Sequence, residues 1–130
     1  MHIMEPLIVK AKEFTPGIRL GEGDTFLIEG RSIPENPDEY YRPVITWMRE
    51  FLEKEPGRPF VMEFRLEYMN SGSTKYLMEL LRIIKGHLAG GHSNVTLRWY
   101  YEEEDESIQK MGEHFRDYLS LPMEVIPVYE

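Results

Sequence analysis

The densest run of chemically usable side chains is Tyr68-Met69-Asn70-Ser71-Gly72-Ser73-Thr74-Lys75, with three hydroxyls in four positions. A serine here can serve as a nucleophile, cap a helix or accept a phosphoryl group. A nucleophile needs a base beside it. No G-x-S-x-G elbow surrounds Ser71, and Lys75 lies four residues on, which misses the S-x-x-K spacing. Capping fits the residue types directly, because Asn and Ser are favoured at helix starts and Gly permits a tight turn. Modification fits as well: free N–H groups at a helix start can hold a phosphate. The group adds about −1.5 to −2 charges at one exposed point without breaking a fold. On the residues alone, capping needs the fewest assumptions and a phosphosite comes next.

Other candidates have plainer explanations. Glu102-Glu103-Glu104-Asp105-Glu106 offers carboxylates in series. An acid/base pair, however, faces itself across a pocket in two different environments, so a contiguous run at a helix entry reads as solvated. His2, His87, His92 and His114 form no HExxH or other ligand spacing, and read as solvated surface histidines without a metal. Gly21-Glu22-Gly23 lacks the third glycine of a dinucleotide fingerprint and reads as a hairpin turn. Trp47, Trp99, Tyr100 and Tyr101 could stack nucleobases, but single-strand binders pair stacking with a positive groove. Most of these rings fit a core, with Tyr100 on an exposed sheet face.

The elements that must position the serine-rich run follow from periodicity. Pro6 to Lys12 reads as a first strand, with Ile18 to Leu20 and Thr25 to Glu29 as hairpin arms. Asn36, Pro37 and Glu39 start a helix that runs to about Lys54. Pro43 inside it predicts a kink or a fresh start. Phe60 to Tyr68 alternates, with Phe60, Met62, Phe64, Leu66 and Tyr68 on one face and Glu63, Arg65 and Glu67 on the other. Asn94 to Tyr101 repeats the pattern. Between them, Leu77, Leu80, Leu81, Ile84 and Leu88 follow helical spacing over Ser71 to Leu88. A third helix is expected over about Asp105 to Tyr118, and a last strand over Met123 to Val128. The order β-β-β-α-β-α-β-α-β, with one dry and one wet face per strand, predicts a single α/β domain. Its sheet is mixed, its helices lie chiefly on one face, and its strand–helix–strand link is a right-handed parallel crossover.

Composition narrows the function classes. The chain has 130 residues, 42% of them hydrophobic, enough for one domain with a real core. Its 15 basic and 23 acidic residues give a formal net charge of −8, which argues against nucleic acid and anionic membrane surfaces as partners. It has no cysteine, so thiolate metal sites and disulfides are excluded. The opening Met1-His2-Ile3-Met4-Glu5-Pro6 is no signal peptide. No apolar run approaches the roughly 20 residues of a membrane span. A cytoplasmic protein is expected.

Several blocks in order resemble the SiaC family of bacterial biofilm-regulating phosphoproteins, over roughly Thr15 to Phe115. They are Thr15-Pro16-Gly17-Ile18, Ser32-Ile33-Pro34-Glu35-Asn36, Pro43-Val44-Ile45-Thr46-Trp47, Leu66 to Lys75 and Leu97-Arg98-Trp99-Tyr100-Tyr101. The family is similar to anti-sigma-factor antagonists of the SpoIIAA (STAS) type. The resemblance implies a partner-switching protein rather than an enzyme. An anti-sigma-type serine/threonine kinase phosphorylates it and a PPM-type phosphatase reverses this. The unmodified form binds and activates a GGDEF diguanylate cyclase. The family acceptor, a Thr directly after the Asn, maps to Ser71. Here Ser71 replaces that Thr and Gly72 replaces a usual Ser, which leaves Ser73 as an alternative acceptor. Tyr68, Asn70, Ser71, Gly72 and Lys75 are the implied partner-binding residues. No cofactor is implied. A small hydrolase using Ser71 and the acidic run, or a constitutive adaptor whose serines only cap a helix, are the rival readings.

Overall fold

A computed structural model describes residues 4–129. Three antiparallel or hairpin strands come first: β1 (Leu7–Val9), β2 (Gly17–Leu20) and β3 (Thr25–Ser32). Alternating helices and strands follow as α1 (Pro37–Lys54), β4 (Phe60–Met69), α2 (Ser71–Ala89), β5 (Val95–Glu102), α3 (Glu106–Leu119) and β6 (Met123–Val128). The strands lie in one six-stranded sheet in sequence order. The β1–β2 and β2–β3 pairs are antiparallel, and β3 through β6 pair in parallel. Three crossovers step in the same direction, so crossovers of one hand leave all three helices on one face. Accordingly α1 packs on α2 and α2 on α3. The predicted mixed sheet with one covered face is borne out.

The core lies between that face and the helices. Phe26, Ile28, Met62, Phe64, Leu97 and Trp99 meet Met48, Phe51, Leu77, Leu80, Leu81 and Phe115, all buried. The opposite face carries a charge ladder across three strands. Glu124 and Glu63 flank Arg98 at 3.9 and 3.5 Å, and Arg65 pairs with Glu63 at 3.6 Å.

Several boundaries differ from the sequence expectation, each for a local reason. The first strand is shorter, because the chain already turns at Lys12, whose N–H donates to Thr15 O at 2.9 Å. The third strand is longer and reaches Ser32. Pro43 neither breaks nor restarts α1. It withholds one N–H, but Tyr41, Val44, Ile45 and Met48 bury the same stretch against the sheet and hold the helix through the gap. Tyr68 does not share the core face of Phe60 to Leu66. The β3–β4 register steps from Gly30↔Leu66 to Arg31↔Tyr68, so Glu67 has no partner and bulges. A bulge reverses the alternation beyond it, and Tyr68 is 56% exposed. Gly30 makes the matching bend at φ +105°, a left-handed conformation open to glycine.

His2 lies outside the described residues. His87 and His92 are not freely solvated: their rings stack at 4.2 Å, both half-buried. Burial first, and the neighbouring His92 second, push His87 below the ordinary histidine range. His114 stacks on the exposed Tyr118.

Candidate functional site

Asn70 joins β4 to α2 and uses every polar group it has. Its side-chain oxygen accepts from Ser73 N at 2.9 Å, the N-cap bond that satisfies a free donor of the first turn. Its N–H donates to Ser32 O at 3.0 Å and its side-chain amide to Pro34 O at 3.4 Å. Its carbonyl accepts from Thr74 N and Thr74 Oγ1. The cap therefore ties the start of α2 to the loop entering α1.

Ser71 is the first helical residue, not the cap, and is exposed. Among the described residues its hydroxyl has no protein hydrogen-bond partner. Ser73, two positions on, is 0% exposed. Its hydroxyl donates to Ser32 O at 3.0 Å and accepts from Ser32 Oγ at 2.8 Å. Tyr41 lies beside Ser32 Oγ at 2.5 Å. Each hydroxyl has one proton, so the order is fixed. Tyr41 donates to Ser32, Ser32 to Ser73, and Ser73 to the backbone. Burial raises the Tyr41 phenol and keeps it protonated as that donor.

Gly72 occupies the tightest spot. A Cβ there would lie 2.6 Å from Pro37 Cγ, inside contact distance. The first turns of α1 and α2 thus touch, and glycine permits it. Beside this contact, the Asp38 carboxylate accepts from Tyr76 at 2.7 Å and from Arg42. The Arg42 bond, followed by that from Tyr76, holds Asp38 below the usual carboxylate range. Lys75 is exposed, its ammonium 5.6 Å from the Tyr76 ring centroid.

The structure brings Asn70, Ser71, Gly72 and Lys75 together at the start of α2, with Asn70 as its cap and Lys75 one turn in. It leaves Tyr68 exposed as the penultimate residue of β4 and withdraws Ser73 into the interior. Sequence reasoning missed Ser32, Pro37 and Tyr41. The block Ser32 to Asn36 was visible, but its role depends on contacts 41 residues apart in sequence.

A hydrolytic site would need a pocket and a base at Ser71. The large groove, about 810 Å³, is walled by Phe14, Ile33, Pro34 and Tyr40 and does not include Ser71. His87 lies 16 residues along α2 from Ser71, a rise of about 24 Å. The acidic run is dispersed, with Glu102 ending β5 and Asp105 capping α3 by accepting from Ile108 N at 3.1 Å. Among the described residues no group of three or more His, Cys, Asp or Glu side chains is placed to hold a metal. No helix among them is long and apolar enough to cross a membrane.

Comparison with known proteins gives a consistent result. The SiaC family of regulatory phosphoproteins matches residues 9–128. An uncharacterised protein of Pseudomonas aeruginosa is 32% identical over 94% of this chain and 96% of its own length. The crystal structure of apo-SiaC from Pseudomonas aeruginosa superposes with a TM-score of 0.83 at 31% identity, covering 95% of this chain and 99% of that one. SiaC from the same organism, in complex with the diguanylate cyclase SiaD that it activates, superposes with a TM-score of 0.84 at 31% identity. That match covers 94% of this chain and 99% of the other.

Proposed function

Because the chain belongs to the SiaC family of regulatory phosphoproteins, we propose that it is a partner-switching activator whose switch is phosphorylation of Ser71. The unmodified form binds and activates a GGDEF diguanylate cyclase, as SiaC of Pseudomonas aeruginosa does with SiaD. An anti-sigma-type kinase adds the phosphate and a PPM-type phosphatase removes it. A non-enzymatic role in the cytoplasm goes with that set of partners.

The observation that carries this reading is the contrast between two serines two residues apart. Ser71 presents an unpartnered hydroxyl to solvent at the start of a helix, while Ser73 is fully buried and committed to Ser32. A kinase reaches the first without disturbing the fold. The adaptor reading, in which the serines only cap, loses its ground, since Asn70 is the cap. The hydrolase reading lacks a base at Ser71.

The release step follows from charge. A partner packed over the first turn of α2 meets a small neutral hydroxyl. A phosphate in its place adds about −1.5 to −2 charges, and a charge left unpaired in an interface costs about 3–5 kcal/mol. That corresponds to a hundredfold or greater loss of affinity. The helix dipole contributes only about 0.3–1 kcal/mol, equally in free and bound states, so it does not offset the loss.

The test is titration of the cyclase with wild type, phosphorylated protein and Ser71→Ala. Ser71→Ala should bind constitutively and resist the kinase. The phosphorylated form should bind at least about a hundredfold more weakly. Equal affinity of the phosphorylated and unmodified forms, with mass spectrometry placing phosphate on Ser71, would refute the switch.

A further inference from the structure

We infer that the abutment of Pro37 on Gly72 aims the Ser71 hydroxyl for phosphoryl transfer, which makes Pro37 and Gly72 positioning residues of the switch. This rests on the reading of Ser71 as the acceptor and adds what holds that acceptor in line.

One short segment, Ser32 to Pro37, holds the start of α2 in three places. Ser32 O accepts from Asn70 N at 3.0 Å and from Ser73 Oγ at 3.0 Å. Pro34 O accepts from the Asn70 side-chain amide at 3.4 Å. Those bonds anchor Asn70 and Ser73. Between the two anchors the Pro37 ring bears on Gly72, the residue directly after the acceptor. Pro37 is itself fixed. It opens α1 behind the cap Asn36, whose side-chain oxygen accepts from Glu39 N at 3.1 Å. Its closed ring cannot swing aside as a flexible side chain would.

Gly72 is a glycine for want of space, not for backbone freedom. Positive φ occurs at Gly21, Gly23, Gly30 and Gly91, and Gly72 is not among them. It lies inside a helix, where propensity alone favours alanine. A Cβ there would stand 2.6 Å from Pro37 Cγ and 3.3 Å from Pro37 Cβ. Restoring contact distance requires the two helix starts to part by about 1 Å, and Ser71, one peptide away, moves with them.

Such a shift matters more to the transfer than to the fold. The kinase supplies a nucleoside triphosphate. The bond from Ser71 Oγ to the γ-phosphorus forms, and the bond from that phosphorus to the β–γ bridging oxygen breaks. The hydroxyl proton passes to a base of the kinase and the nucleoside diphosphate leaves. Catalysis of this step is almost entirely positioning of the attacking and leaving oxygens in line. A misplacement of about 1 Å costs on the order of a hundredfold in such a reaction.

The experiment is steady-state phosphorylation by the cognate kinase of wild type, Gly72→Ala, Pro37→Ala and the double variant, with mass spectrometry to place the phosphate and thermal melting of each. Gly72→Ala should lose about tenfold or more in kcat with KM little changed. It should melt within a few degrees of wild type, because the gain in helix propensity offsets the parted contact. Pro37→Ala should also slow the transfer, since nothing then bears on Gly72. The double variant puts a methyl group where the ring stood, so it should outpace both single variants and recover most of the wild-type kcat, the mark of a direct contact. Pro37→Ala and the double variant carry no clash, so they read the contact even where Gly72→Ala melts low. Wild-type kcat in Gly72→Ala, or a double variant no faster than either single one, overturns the positioning role and leaves Ser71 as the acceptor. A rise in KM at unchanged kcat overturns it as well, by moving the pair into kinase recognition. Absence of phosphate from Ser71 of the wild type overturns the switch itself.

Discussion

The layer formed by α1, β3 and β4 has two ends built on different chemistry. At the end where β4 begins, Phe26, Trp47, Phe51 and Phe60 interlock, with ring centroids 4.8 to 5.6 Å apart in stacked and edge-on pairs. The ring system spends one polar atom, the Trp47 indole N–H, on Glu5 O at 2.9 Å. At the end where β4 finishes, the same helix presents Tyr41, and the interior holds Ser32 and Ser73 in a closed relay of hydroxyls. The aromatic end gains from area and tolerates small shifts. The hydroxyl end gains little net free energy per bond, but it is costly to leave unmatched, so it fixes one arrangement. If Ser71 is the residue presented to a kinase and a partner, as proposed, the second kind of packing serves it better. Ser71, the proposed switch residue, lies at the hydroxyl end, and the interlocked rings lie at the other.

The largest effect should come from the aromatic end. Phe51→Ala removes a ring that touches Phe26, Trp47 and Phe60, and should cost about 3–5 kcal/mol. That is about 10–20 °C in melting temperature for a domain of this size. Protein that remains folded should still be phosphorylated at the wild-type rate. Denaturant unfolding and kinase kinetics on the same sample check both halves. A large loss of kinase activity in the folded fraction would break the separation between the two ends.

At the hydroxyl end, Ser73→Ala deletes the acceptor of Ser32 Oγ and the side-chain donor to Ser32 O. It should cost about 1–3 kcal/mol, the desolvation penalty of buried groups left unpaired. The functional consequence should exceed that cost. With the relay open, the first turn of α2 loosens, which hydrogen exchange at Gly72 to Tyr76 would register as faster exchange than in the aromatic-end variant. Exchange at this turn equal to that of Phe51→Ala would show that the hydroxyls contribute no more specificity than any other core contact.

Much of this division was legible in the sequence. The caps Asn36 and Asn70, the proline opening α1, the alternation in β4 and β5 and the turn at Gly90-Gly91 are local signals, and local signals gave the element order and the covered face. What stayed hidden is what depends on contact between distant segments. Whether Ser71 or Ser73 faces solvent is set by Ser32, 41 residues earlier than Ser73. The exposure of Tyr68 is set by a register step against β3. Gly72 reads as a flexible turn residue until Pro37 is seen beside it. The histidines His87 and His92 read as solvated because nothing local announces that a loop will fold one ring onto the other.

The smallest stability effect should belong to the residue with the largest functional one. Ser71 is exposed at the first helical position, the capping bond comes from Asn70, and no protein group accepts or donates to its hydroxyl among the described residues. Ser71→Ala therefore removes no contact and introduces a residue of higher helix propensity, so its unfolding free energy should stay within about 0.5 kcal/mol of wild type. Phosphorylation should shift stability in the favourable direction by about 0.3–1 kcal/mol, because the negative group sits on the positive end of α2. Salt should erase most of that gain, since the site is exposed. Denaturant titrations of wild type, Ser71→Ala and phosphorylated protein, at two ionic strengths, measure all three quantities. A loss above about 1 kcal/mol in Ser71→Ala would mean that the hydroxyl supports the helix start after all. It would then be a structural residue, and the case for a site left free for modification would fall with it. A near-neutral result alongside a hundredfold change in partner affinity would locate the switch at a point where the fold has nothing at stake.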